Sequence, residues 1–185
     1  MPSASLIKEF EQLVGKENVF SSEADRQSYA YDAAVLKPMI PSLVVRPTEV
    51  EQLGQVVKRC YEEGIPMTVR GSGTNLTGGT IPDCSDTIVI LTTGLNKILE
   101  INTEDLYATV QPGVITAKFA AAVAAKGLFY PPDPGSMSVS TIGGNVAESS
   151  GGLRGLKYGT TKDYVMGMQV FAHTGDLGKT SMPMT

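Results

Sequence analysis

The sequence has no Trp, one His and two Cys among 185 residues. A single imidazole cannot build a His-rich metal site, and His173 reads as a surface residue near a turn. Cys60 and Cys84 lack C-x-x-C or other metal-ligand spacing. With no signal peptide in view, that usage fits a reducing, cytoplasmic setting. No apolar run reaches eighteen residues, which excludes a transmembrane helix. Basic residues are also scarce: 15 Lys and Arg against 19 Asp and Glu give a net charge of −4. That balance argues against nucleic acid as a principal partner, because phosphate backbones demand basic faces. No G-x-y period runs along the chain, so collagen is excluded.

What is present is core-forming and rich in glycine. The chain is 42% hydrophobic and 18% charged, which excludes global disorder, and it carries 20 Gly and 11 Pro. Two windows, 71–79 and 135–159, hold 11 of the 20 glycines in 34 residues, where even spreading gives about 4. Glycine is concentrated where backbone must bend or approach something closely. Charge is uneven too. Residues 1–105 carry 9 basic and 15 acidic side chains, and residues 106–185 carry 6 and 4. The mildly positive second part is compatible with an anionic ligand.

Apolar spacing at 6, 7, 10, 13 and 14 predicts a helix over 5–14 closed by Gly15. Residues 16–41 form a lead-in. Leu43-Val44-Val45 predicts a strand. Thr48 with Glu51 predicts a capping box for a helix whose apolar face is Val50, Leu53, Val57, Cys60 and Tyr61. With a strand over 65–70, residues 42–70 make a β-α-β unit with parallel strands. Further strands are predicted at 87–91, 97–101, 106–111 and 164–172. A helix from a Thr116 cap runs to Lys126.

The strand at 65–70 delivers Arg70-Gly71-Ser72-Gly73-Thr74-Asn75-Leu76-Thr77-Gly78-Gly79-Thr80. Successive backbone N–H groups in such a loop converge on an anion, and Ser72, Thr74 and Asn75 add short donors. Two familiar phosphate loops fail on inspection. A dinucleotide fingerprint needs a third glycine where Leu76 stands, and a helix where Ile81-Pro82-Asp83 follows. A P-loop needs lysine where Gly79 stands, so the loop suits a phosphate that is held and not transferred. Farther on, Ser140 or Thr141 can cap a short helix whose first N–H groups face a ligand. Gly143 and Gly144 cost that helix about 1 kcal/mol each, which suggests a flat object against its backbone. Ile142, Val146 and Leu153 fit a segment packed on that ligand. Arg154 and Lys157 read as solvated surface, and Tyr130 and Tyr158 as aromatic packing.

The run VRGSGTNLTGGT (69–80) is similar to the pyrophosphate loop of the FAD-binding domain shared by the vanillyl-alcohol oxidase and p-cresol methylhydroxylase superfamily. The run PPDPGSMSVSTIGGNVAESSGGLRGLKYGTTKDYV (131–165) resembles the second flavin-contacting segment of bacterial glycolate oxidase FAD subunits and D-lactate dehydrogenases. VGKENVFSSEADRQSYAYDA (14–33) resembles the same branch. The resemblance implies an α+β, two-lobed PCMH-type fold with FAD between the lobes. It divides the chain into an N-terminal helix and lead-in (1–41), a first lobe (42–105) and a second, C-terminally incomplete lobe (106–185). It assigns Arg70, Gly71, Ser72, Gly73, Thr74 and Asn75 to the pyrophosphate, with Gly78 and Gly79 allowing close approach. Pro132, Thr141, Gly144 and Asn145 are assigned to the ribityl chain and ring, with Gly151, Gly152, Tyr158 and Gly159 nearby. The first loop has no His, so non-covalent FAD is expected.

Family members run to well over twice this length, and their remaining part supplies the substrate domain and its metal ligands. The ending Ser181-Met182-Pro183-Met184-Thr185 therefore suggests a truncated reading frame, a frameshift or an excised fragment. The implied activity is hydride transfer from a small 2-hydroxy acid, glycolate or D-lactate, to flavin N5, with other oxidase subunits as partners. No catalytic acid or base is assigned within these residues. The alternative is a non-catalytic FAD- or nucleotide-binding module lacking the substrate domain. An alkyl- or acyl-transfer relative on the same fold is a third reading.

Overall fold

The computed structural model describes residues 2–181, so the ending over 182–185 lies outside the described residues. The most apolar runs form the centre of the main sheet. Strand β1 is Val19–Phe20, β2 Leu43–Val45, β3 Met67–Arg70 and β4 Ile88–Leu91, in the order β1-β2-β4-β3. Every residue of β2 and β4 is buried, the mark of strands covered on both faces. The predicted pair 43–45 and 67–70 is parallel, but the two strands are not neighbours. β4 lies between them, pairing Ile88 with both Leu43 and Met67. Its all-apolar Ile-Val-Ile-Leu belongs in the middle. β3 goes to the edge, where Val69 is exposed.

Helices α1 (Ala4–Val14) and α3 (Val50–Glu62) cover one face of this sheet; a short α2 (Glu23–Gln27) lies in the lead-in between β1 and β2. Leu6, Phe10, Val14, Val56, Val57 and Cys60 pack there against Leu43, Val45, Ile88 and Ile90. Burying each such large side chain is worth about 1.5–3 kcal/mol. That burial, and not the solvent-facing Arg59–Glu9 ion pair, holds α1 in place. Phe20 and Tyr29 pack on Val44, Val89 and Leu91 in a second cluster. The α3 cap is one residue later than the sequence suggests. Glu49 is the N-cap, and Gln52 Oε1 accepts from the backbone N–H groups of Thr48 (2.9 Å) and Glu49 (3.1 Å). Gln52 wins because it reaches two orphan donors while its amide donates to Leu13 O.

Strands β5 (Ile98–Asn102) and β6 (Tyr107–Val110) form an antiparallel hairpin. Its turn is tied by Asn102 Oδ1, which accepts from Glu104 N and Asp105 N. Helices α4 (Thr116–Ala124) and α5 (Ile142–Glu148) pack on it through Phe119, Val123 and Ile142, together with Val114 just before α4. Thr116 is not the α4 cap, which is Ile115. The Thr116 hydroxyl is fully buried, 3.0 Å from Ser140 O, and works as a tie between segments.

The hairpin of β7 (Gly167–Phe171) and β8 (Leu177–Ser181) docks on α3. The predicted strand from 164 begins only at 167, because 161–164 forms a 3-10 turn. His173 stands in the hairpin turn, and its ring meets Tyr61 edge-on at 5.2 Å. A methyl group on Gly54 would lie 2.5 Å from Phe171 Cε1. Gly54→Ala is therefore expected to destabilise the chain by about 1–3 kcal/mol through overpacking. In a Phe171→Ala background the same change should reverse sign, worth about 1 kcal/mol from helix propensity alone. Denaturant unfolding of the four proteins in that cycle measures both signs.

The two thiols differ. Burial pushes Cys60 up to about 12. Cys84 is held below the ordinary thiol value, chiefly by the Thr87 hydroxyl 3.4 Å away. Thiolate is the reactive form. Iodoacetamide at pH 8 is expected to label Cys84 in the folded chain and leave Cys60 unlabelled, read by peptide mass spectrometry. Denaturation should expose both.

Candidate functional site

Strand β3 carries the first glycine loop to the carboxyl edge of the parallel strands. Arg70, its last residue, is 6% exposed, a rare position for a guanidinium. Its Nη1 donates to Tyr31 O (2.8 Å) and to Thr80 Oγ1 (3.2 Å), and its charge lies 5.8 Å from the Tyr29 ring centroid. Burial lowers its pKa, and Asp32 opposes that shift. The chain turns over this guanidinium at Gly73, whose φ is +70° and whose missing Cβ would overlap Arg70 Nη2.

The loop is pinned at its ends and open along its backbone. Asn75 Nδ2 donates to Asp32 Oδ2 (2.6 Å), and Thr80 Oγ1 bonds Asn75 Oδ1 (3.1 Å). At Gly78, φ is +78° and a side chain would overlap Leu36. Thr74 is half-buried and Gly79 exposed. Among the described residues, none of the backbone N–H groups from Ser72 to Gly79 reaches a backbone acceptor in a turn or loop. N–H groups without a backbone acceptor, on a loop that lies over a buried cation, can cradle an anion.

The second glycine segment comes to this loop. Ser72 Oγ donates to Val139 O, and Thr77 Oγ1 bonds Glu148 Oε1 at 2.8 Å. Gly71 lies so close to Thr141 that a Cβ would overlap its hydroxyl. Thr141, not Ser140, is the α5 cap, accepting from Gly144 N at 3.3 Å. Gly143 and Gly144 divide. A Cβ on Gly143 would lie 2.6 Å from Pro112 Cβ, so protein packing explains it, while Gly144 meets only Thr141. Asn145 is 1% exposed and turned inward, its Nδ2 donating to Thr116 Oγ1 at 2.7 Å. That side chain braces α5 against α4. Ile142 and Val146 likewise join the protein core, and Leu153 is fully exposed.

Pro132 is buried at the base of the neighbouring turn. Gly151 and Gly152 gather against Thr160 and Asp133 respectively. Asp133 Oδ1 accepts from Arg154 N at 3.2 Å. Gly159 has φ +83° and leaves room for the Asp163 carboxylate, which accepts from Thr160 N at 2.7 Å. Tyr158 meets Phe129 edge-on at 5.7 Å, and Tyr130 meets Phe119 at 4.8 Å. Arg154 lies over the Phe129 ring and Lys157 over the Tyr158 ring, so both cations are aromatic-backed and not merely solvated. A groove of about 290 Å³ lined by Ala120, Ala124, Phe129, Tyr130, Met137 and Arg154 borders this second segment. A wider trough of about 550 Å³ between α1 and α3 is walled by Glu9, Lys58, Arg59 and Glu62 and lies away from both glycine loops.

Sequence reasoning passed over Asp32 and Tyr31 as site residues. Their only signal is their place in the YAYDA run of the lead-in; nothing in spacing links them to a loop forty residues on. The donors and glycines described above fit a dinucleotide diphosphate laid on the loop.

A parallel-stranded α+β framework with an open, glycine-built anion cradle beside a second glycine segment defines a nucleotide-cofactor domain. The family model described as an FAD binding domain matches residues 41–181, and the chain belongs to that family. It is 50% identical over 169 residues to the glycolate oxidase subunit GlcD of Bacillus subtilis, covering 91% of this chain and 36% of that protein. It is 36% identical over 174 residues to the D-lactate dehydrogenase of Anaerostipes hadrus, covering 94% of this chain and 36% of that one. A solved p-cresol methylhydroxylase with substrate bound superposes with a TM-score of 0.83 at 26% identity, covering 95% of this chain and 35% of that chain. The chain thus spans about a third of the length of the curated relatives it matches. No helix among the described residues is long and apolar enough to cross a membrane.

Proposed function

We propose that the chain is the FAD-holding part of a flavin-dependent oxidoreductase acting on a small 2-hydroxy acid, glycolate or D-lactate. The observation that carries this reading is the junction of the two glycine segments at Gly71–Thr141, Ser72–Val139 and Thr77–Glu148. These contacts bring the two segments side by side, with Arg70 beneath the first loop. The names of the relatives, a glycolate oxidase subunit and a D-lactate dehydrogenase, supply the substrate class.

In this reading Gly71, Ser72, Gly73, Thr74 and Asn75 bind the diphosphate through backbone N–H groups, and Arg70 supplies the charge. Gly78 and Gly79 keep the approach clear, Gly144 stays open beside the ribityl chain, and Thr141 orients the α5 backbone. Asn145 acts from behind, through α5. Gly151, Gly152, Tyr158 and Gly159 shape the strip toward the ring, with Pro132 fixing the turn beneath it. The proposed division into lobes at 42–105 and 106–185 draws support from two hydrophobic clusters that share no residue, although Ile98 and Ile101 of β5 pack with the second cluster and α1 with the first. Bound FAD supplies the two-electron acceptor. Non-covalent attachment is part of this reading, because the first glycine loop carries no His. No base, substrate cation site or partner surface is assigned among the described residues.

The test is to add FAD to the purified chain, remove the excess and record the visible spectrum before and after anaerobic glycolate or D-lactate. Retained flavin that acid precipitation releases into the supernatant is the expected result, and bleaching by either substrate would place the reaction on this chain. Retained flavin that stays oxidised favours the second reading, a non-catalytic FAD module. The observation behind that reading is the coverage of only 36% of either relative.

A further inference from the structure

We propose that Asp32 is a positioning residue that presets the diphosphate loop, a role that rests on the FAD reading above. Asp32 lies outside the loop and outside the second glycine segment, yet it is 9% exposed and faces the loop. Its two oxygens have separate duties. Oδ1 accepts from Ala34 N at 2.8 Å, which fixes the carboxylate on its own turn. Oδ2 accepts from Asn75 Nδ2 at 2.6 Å and lies 3.2 Å from Thr80 Oγ1. Asn75 and Thr80 bracket the second half of the loop, so one carboxylate ties both ends of that half to the lead-in.

The donor inventory makes the arrangement specific. With its amide given to Asp32, Asn75 places its oxygen 3.1 Å from the Thr80 hydroxyl, whose single proton is shared between that oxygen and Asp32 Oδ2. Thr80 in turn accepts from Arg70 Nη1 at 3.2 Å. Asp32 and Arg70 therefore sense each other through Thr80 and not through a direct ion pair among the described contacts. A carboxylate in direct contact would cancel the guanidinium charge that an anion needs. One hydroxyl away, it orders the loop and leaves that charge facing the cradle. Asparagine cannot replace it, having a single acceptor where Ala34 N and Asn75 Nδ2 need two.

The test compares wild-type chain with Asp32→Ala and Asp32→Asn, titrating FAD, ADP and riboflavin. Losing charge-assisted bonds to the loop is expected to weaken FAD and ADP by about tenfold or more. Riboflavin, which has no diphosphate, is expected to change less than twofold. Asp32→Glu should recover part of the loss. Unchanged FAD and ADP binding overturns the proposal. So does an equal loss for riboflavin, which means that Asp32 only supports the fold. Should Asp32→Ala not fold, the Asp32→Asn titration decides by the same criteria. A wild-type chain that binds neither FAD nor ADP overturns the FAD reading itself, and the Asp32 role with it.

Discussion

Gly152→Ala is expected to weaken FAD binding by about tenfold to a hundredfold and to open the 150–158 segment to trypsin at Arg154 and Lys157. A methyl group there would sit inside the Asp133 carbonyl oxygen and 2.6 Å from its carbonyl carbon. The obstacle is backbone, so no rotamer change relieves it. Either the Pro132-Asp133-Pro134 turn or the Gly151-Gly152 turn must move. Two prolines hold the first, so the second yields, and the Asp133 bond to Arg154 N goes with it. Overpacking that forces a backbone shift costs about 1–3 kcal/mol, which as binding energy gives the stated range. Gly155→Ala is the matched control. A Cβ there meets nothing within 4 Å, and Gly155 opens the short helix α6 (Gly155–Tyr158), where alanine is tolerated or slightly favoured. Equal FAD affinity and equal cleavage in the two variants would mean that the 150–158 turn does not shape the cofactor site.

The same contrast explains what the sequence discloses and what it hides. Continuous apolar runs at 43–45 and 88–91 announce buried strands, because burial on both faces leaves no alternation to read. Their order is hidden: β4 enters between β2 and β3 by tertiary competition for the most covered position, which local pattern does not encode. Glycine clusters are legible as backbone in close quarters, but what each glycine touches is not. Gly143 abuts Pro112, Gly152 abuts Asp133, Gly73 covers Arg70, and Gly155 touches nothing. Asn145 shows the limit most sharply. Its motif suggests a ligand contact, and packing adds a second duty, since its Nδ2 donates to Thr116 from an element 29 residues earlier. Polar residues in a cofactor motif divide between facing the cofactor and bracing the backbone that does, and only packing separates the two.

Gly73→Ala is expected to lower FAD affinity by about a hundredfold or more, the largest effect of any single methyl group in the first loop. Two costs add. Alanine at a φ of +70° pays about 1–2 kcal/mol for its left-handed backbone. Its Cβ also overlaps Arg70 Nη2, and that guanidinium is buried and tied by Nη1 to Tyr31 O and Thr80 Oγ1. Displacing it sacrifices charge-assisted bonds worth about 1.5–3 kcal/mol, and it moves the cation away from where the diphosphate would lie. Gly73→Asn separates the two terms. Asparagine tolerates the left-handed region but carries the same Cβ, so it relieves the first cost and keeps the second. If Asn binds FAD nearly as poorly as Ala, the guanidinium beneath the loop dominates, and binding in both variants should depend less on salt than in the wild type. If Asn restores wild-type affinity, Gly73 serves the backbone turn alone and Arg70 is not the charge on which the cofactor rests.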